Sequence, residues 1–254
     1  MSPRAYDYLQ GGTAHFAADR EAVDRIMAES GGIDKARKRV RASRRFQVRA
    51  VRYLAGQAGV RQFIDLGTGI PNDNNVHTVA QQTAPDCRVV SVDNDPVVLA
   101  YAHQLQASTP GGAAAYIDGD LRDTEDILSR AAATLDLTQP VALVFVGVLL
   151  HFRDDQDPWA IVRRYVDAVP SGSYLVIEHT GRESDDTSKY DKVVKDIGLN
   201  TGFTLIPRSR EEVARFFEGL ELVEPGLVFI EDWRPDQAPD DYEIPLHGAV
   251  GRKP

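Results

Sequence analysis

From Val60 onward, short β-rich runs alternate with helical stretches, and this constrains the chain more than any other feature. "RQFIDLG" reads as a strand, followed by "CRVVSVDND", the weaker "AAAYIDGD", "VALVFVGVLLHF" and "SYLVIEHTG". Helical patterns lie between them at Asn75–Thr83, Pro96–Ala107, Thr124–Leu135 and Pro158–Ala168. Alternation of this kind predicts an α/β fold with a parallel sheet and right-handed crossovers. The fourth run is apolar throughout, as a central strand covered on both faces must be. Ser209 and Glu212 form a capping box that opens a helix over "REEVARFFEGL". "ELVEPGLVFIEDW" and "LHGAVGRK" then follow with no helix between them, which predicts an antiparallel hairpin closing the sheet. "DQAPDD" reads as a polar loop.

Residues 1–56 read as helical and polar. Phe16, Ala17, Val23, Ile26 and Met27 fall near one helix face, and Val40, Phe46, Ala50, Val51 and Leu54 form an apolar stripe on the next. The Lys/Arg run from Lys35 to Arg49 reads as the solvated side of that second helix. The chain carries 29 Lys and Arg against 38 Asp and Glu, a net charge of −9, so a nucleic-acid partner is not expected. The single cysteine, Cys87, has no partner for a disulfide, and no Cys/His cluster has zinc spacing, so no metal is expected. The longest apolar run, Val141–Leu150, is short of the ~20 residues of a membrane span, and the first residues lack a signal-type apolar segment. A cytoplasmic protein is expected, and a homo-oligomer stays open.

In an open parallel sheet, ligands bind beyond the carboxyl ends of the strands. The first strand ends in Asp65-Leu66-Gly67-Thr68-Gly69, where two glycines permit a tight turn and close approach of backbone to a ligand. A dinucleotide fingerprint places a third glycine at position 72, but Asn72 stands there. S-adenosylmethionine (SAM) has no phosphate, and Asp65 suits its ammonium group. Asp93, at the end of the second strand, suits the ribose hydroxyls. Asn94 would lie beside the adenine, and Asp95 with Pro96 reads as the cap and first residue of the next helix. Asp120, at the third strand end, could accept from the adenine amino group, with Leu121 beside it. Gly147 lets the fourth strand pass close to the ligand. His151 follows as a general base, a substrate contact or a hydrogen-bonded wall residue. Of Glu178 and His179, alternation sends one to each face of the sheet.

These stretches resemble class I SAM-dependent methyltransferases. They are most similar to an actinobacterial-type S-adenosyl methyltransferase family formerly known as a domain of unknown function. The similar stretches are "YDYLQGG", "FAADR", "GTGIP", "NVHTVAQ", "APDCRVVSVDNDPVVLA", "GDLRD", "RSREEVARFFEGLELVEPGLV" and "GAVGRKP". The chain departs from the family pattern at Gln10, often Leu there, and loosely at Val146–Val148. The resemblance implies a Rossmann-like seven-stranded sheet with its last strand antiparallel. It also implies a helical cap over residues 1–56, carrying Tyr6, Tyr8, Gly11 and Gly12 toward the cofactor, on a SAM-binding unit of residues 57–254. It implies SAM as cofactor and S-adenosylhomocysteine (SAH) as product; it names no acceptor, and a small-molecule methyl acceptor is expected. A SAM-binding sensor without transferase activity and, more remotely, an NAD-dependent oxidoreductase stand as alternatives.

Overall fold

The computed structural model describes residues 2–29, 32–102, 109–182, 205–236 and 246–254. Five strands run parallel: β1 (Gln62–Leu66), β2 (Arg88–Asp93), β3 (Ala113–Asp118), β4 (Ala142–Val146) and β5 (Tyr174–Thr180). The last strand, β8 (Leu246–Arg252), lies antiparallel to β5 along its whole length. On its other side it pairs with two two-residue strands, β6 (Glu221–Leu222) and β7 (Val228–Phe229). The order is β3-β2-β1-β4-β5-β8-β6, with β7 also on β8. Since β6 and β7 share one flank of β8, the eight strands fill seven positions. The expected hairpin is therefore present, but its first arm is split in two. Pro225 has no N–H for the ladder, and the turn at Gly226, closed by its N–H donating to the Val223 carbonyl, interrupts the pairing.

Both faces of the sheet are covered, which is why its strands are apolar at successive positions. On one face Ile64, Val90, Leu143, Phe145 and Ile177 pack beneath α6 (Thr124–Ala131) and α7 (Pro158–Ala168). On the other, Phe63, Val89, Val144, Val176 and Val250 pack against α3 (Ile33–Gly56) and α4 (Val76–Thr83). Asp157 caps α7 by accepting from Ala160 N at 3.1 Å, with Pro158 at the first helical position. The Ser209/Glu212 capping box forms, but the helix it opens, α8 (Arg210–Ala214), tightens into a 3-10 turn at Arg215–Phe217 and stops short of Leu220. Helix α5 is described over Pro96–Ala102; the rest of its expected span and most of "DQAPDD" lie outside the described residues.

The first 56 residues hold three helices, α1 (Pro3–Gln10), α2 (Ala17–Glu29) and α3. Ala5, Leu9, Val23, Met27 and Val40 form a small core of their own. Phe16 and Ala17 do not join it. Asp19 accepts from the Phe16 N–H at 2.9 Å and from Arg4, so the helix begins after Phe16 and leaves that ring exposed under the Arg4 guanidinium. The buried stripe of α2 is instead Val23 and Met27, one turn apart. Helix α3 belongs to both layers. Val40 packs with α1 and α2, while Phe46, Ala50, Val51 and Leu54 enter the main core.

Candidate active site

A cavity of about 460 Å³ opens over the carboxyl ends of β1 to β5 and runs under α1 and α3. Its walls include Gly67–Ile70, Asp93–Asp95, Gly119–Arg122, Val146–Val148 and His151 from the sheet side. The cap contributes Tyr6, Lys35, Arg39, Ser43 and Arg44.

The β1 exit is fixed by close packing. Gly67 has φ +82, and a Cβ on it would lie 2.5 Å from the Val148 side chain, so no larger residue fits. The Gly69 N–H donates to Asp93 Oδ2 at 2.9 Å, and the Asp95 N–H donates to Asp93 Oδ1 at 3.0 Å. Asp93 thus ties the glycine turn to the end of β2, and burial raises its pKa despite those bonds. Asp95 accepts from Val97 N at 2.8 Å, the bond expected of a helix cap, and still reaches the cavity wall. Asp120 lines the cavity, whereas Asp118 is exposed and does not. Arg122 binds Asp120 through its side chain and backbone and holds that carboxyl below its ordinary range.

The polar stretch after the glycines is held by its own amides. Asn72 N donates to Asn75 Oδ1, Asn74 N donates to Asn72 Oδ1, and Gln47 of α3 donates to the Asn74 carbonyl. Asn72 Nδ2 donates to Gln10 Oε1 at 2.9 Å. The two unusual residues, Asn72 and Gln10, are thus partners that dock α1 onto the loop.

Of the residues named from sequence, Gly67, Thr68, Gly69, Asp93, Asn94, Asp120, Leu121, Gly147, His151 and Tyr6 meet at the cavity. Asp65, Tyr8 and Gly11 do not line it. Asp65 is buried behind the turn, where desolvation pushes its pKa up to about 6 against the pull of Arg44. Tyr8 donates to Asp24 Oδ1 and packs on His15, while Gly11, at φ +87, ends α1. His151 sits on a 3-10 turn, Leu149–His151, because Gly147 at φ +69 ends β4 earlier than the apolar run suggests.

Glu178 faces the cavity and His179 faces away. Glu178 accepts from Ser43 Oγ at 3.0 Å and is raised in pKa by burial, offset by Arg39 and Ser43. His179 is held neutral, its pKa pushed down to about 3 by burial. Its Nδ1 donates to the Thr180 carbonyl, and its Nε2 accepts from Arg208 at 2.8 Å. Arg208 is buried and also donates to Leu149 O, Phe152 O and Asp154 Oδ1. It braces the turn that carries His151.

The basic run of α3 is not simply solvated. Lys35, Arg39, Ser43 and Arg44 recur at helical spacing and face the cavity. Arg39 donates to Thr180 Oγ1, Arg45 pairs with Glu231 at 2.6 Å, and Arg49 donates to the Trp233 carbonyl at 2.9 Å. The 3.6-residue repeat of Lys35, Arg39 and Ser43 is the signal that marks this face, but a helical repeat does not say what it faces.

A family model described as S-adenosyl methyltransferase matches residues 1–254. The chain belongs to this family. The methyltransferase superposes on a DUF574-family protein from Streptomyces avermitilis at a TM-score of 0.92 and 42% identity, over 99% of this chain and 97% of that one. A candidate methyltransferase from Thermobifida fusca matches at 0.88 and 36%, over 99% and 94%. An O-methyltransferase family 2 protein from Planctomyces limnophilus, solved with apigenin, is 20% identical at a TM-score of 0.52, over 93% of this chain and 66% of that one; that likeness concerns the fold alone. No curated protein matches the chain.

The methyltransferase uses SAM, which decides against a nicotinamide cofactor. The cavity fits SAM on its own terms. Asp65 Oδ2 and Thr68 Oγ1 are buried polar atoms at the β1 exit with no partner beyond each other. A buried carboxylate such as Asp65 favours a nearby ammonium group and disfavours a pyrophosphate. Among the described residues no helix is long and apolar enough to cross a membrane.

Proposed function

We propose that the enzyme methylates a small-molecule acceptor by in-line transfer, with the acceptor seated between His151 and the cap. The single observation that carries this reading is the cavity itself. At about 460 Å³ it falls within the range of small-ligand pockets, and α1 and α3 cover it. When bound, SAM supplies an electrophilic methyl group. The chain's own residues then have to position the acceptor and exclude water, which can be worth ~7–11 kcal/mol. Asp93 would hold the ribose, Asp120 and Asn94 the adenine edge, and Thr68, backed by the buried charge of Asp65, the ammonium, with Leu121 and Gly147 packing alongside. His151 would contact the acceptor or take its proton. Residues 1–56 would act with 57–254 as one structural unit, a reading supported by the burial of Phe46, Ala50 and Leu54 in the main core.

SAH release tests this reading directly, measured against a panel of small phenols, carboxylates and amines beside protein and nucleic-acid acceptors. Turnover is expected only with small molecules; turnover confined to a macromolecule overturns the reading. Once an acceptor is in hand, His151→Gln is expected to lower kcat, and unchanged turnover removes His151 from the reaction.

A further inference from the structure

We propose that Arg44, on the cap helix α3, holds the carboxylate of the cofactor's amino-acid end. The proposal rests on the assignment of the cavity to SAM. Three observations support it.

The first is reach. Arg44 is a cavity cation that touches the glycine turn: its Nη2 lies 3.5 Å from the Thr68 carbonyl. A Cβ on Gly69 would stand 3.8 Å from that same nitrogen. Two other cations at the wall serve other places. Arg39 reaches Thr180 at the end of β5, and Arg122 is committed to Asp120 at the end of β3.

The second is preorganisation. Gln47 Oε1 accepts from Nη1 at 3.1 Å, and the Tyr6 ring packs against the guanidinium at 5.6 Å. These contacts, like the one to Thr68, are with neutral groups. They fix the fork without neutralising it, and the buried Nε makes no hydrogen bond. A planar guanidinium held in this way matches a carboxylate.

The third is charge pattern. Asp65 lies on the same side of the sheet, near enough to Arg44 for their charges to interact. A buried acid behind the turn and an arginine on the cavity wall set opposite fields at the two ends of an α-amino acid. Glu178, the other acid near Arg44, sits toward β5 and is satisfied by Ser43.

The consequence is that the cap recognises the cofactor as well as covering it. Calorimetry on the full chain with SAM and with decarboxylated S-adenosylmethionine, which keeps the ammonium and lacks the carboxylate, tests this. The wild type is expected to prefer SAM by about 10- to 100-fold, the range of a charge-assisted pair. Arg44→Met is expected to lose that preference while binding the decarboxylated ligand as before, and Arg44→Lys to recover part of it. Equal weakening of both ligands in Arg44→Met, or a preference that survives, overturns the proposal. If Arg44→Met does not fold, Arg44→Lys, checked by circular dichroism, must narrow the preference. A wild type that binds SAM tightly without any preference overturns Arg44 alone. A wild type that binds neither ligand overturns the cofactor assignment, and this proposal with it.

Discussion

The end of the cavity proposed to hold the nucleoside is built from consecutive strand exits. Asp93 ends β2 and bonds the turn that ends β1, 24 positions away, and Asp120 follows β3. At the opposite end the partners are far apart in the chain. Ser43 meets Glu178 across 135 positions, Arg39 meets Thr180 across 141, and Arg208 braces a turn 59 positions before it. The first end is a property of the parallel sheet, which brings successive carboxyl ends together by its topology. The second depends on where α3 and the segment around Arg208 dock. One end can therefore bind the part of the ligand that any SAM enzyme shares, while the other is free to differ with the acceptor.

Arg208→Met breaks the comparison at its more dispersed end. It leaves two carbonyls, Asp154 and His179 short of a donor and is expected to lower stability by about 3–5 kcal/mol in urea unfolding. A loss below 1 kcal/mol means the turn holds itself. At the sheet end, Asp93→Ala removes a carboxylate that holds both the turn and the proposed ribose contacts. SAM affinity is expected to fall about 100- to 1,000-fold by calorimetry; an unchanged value removes Asp93 from the nucleoside site.

Asp65 connects the two ends and can be tested by pH. Its folded pKa of about 6 lies above the ordinary 3.8, so the folded state holds the proton more tightly than the unfolded chain. The stabilisation is complete below about pH 3.8 and is lost as pH rises through about 6. Asp65→Asn is therefore expected to be more stable than wild type at pH 8, by up to about 3 kcal/mol, with the difference closing toward pH 4. Wild-type SAM affinity should fall as pH drops below 6, and the Asn variant should show a flat profile. A smaller effect, about 10-fold on SAM affinity, is expected for Asp120→Ala, whose carboxylate already serves Arg122. The smallest is Tyr8→Phe. It loses one exposed bond to Asp24 and should leave SAM affinity within about twofold, at a cost of about 0.5–1 kcal/mol in stability.

Most of the sheet, and many of the cavity residues at its strand exits, were legible in the sequence. Apolar runs with turn signals placed β1, β2, β3 and β5 within a residue or two but overran β4, which Gly147 ends at Val146, and the helix cap read from Asp95-Pro96 formed because Asp-Pro has a local meaning. The split of β6 from β7 was missed because a run of apolar residues does not show how a proline meets a ladder. The exposure of Phe16 was missed because Asp19 had already taken its N–H for a cap. The cavity-facing role of Lys35, Arg39 and Arg44 was hidden because a charged helical face has the same periodicity whether water or a pocket lies opposite.

The sequence by itself determined the parallel α/β sheet, the glycine turn with its neighbouring acids and the choice of SAM over a dinucleotide. The sheet follows from alternation along the chain, and the others from spacing at successive strand ends together with the family resemblance. Only the tertiary structure decided that Glu178 faces the cavity and His179 faces Arg208, that Asn72 pairs with Gln10, and that a basic helix lines the cavity. Those outcomes depend on which surfaces meet across more than a hundred residues, and no local pattern encodes that meeting.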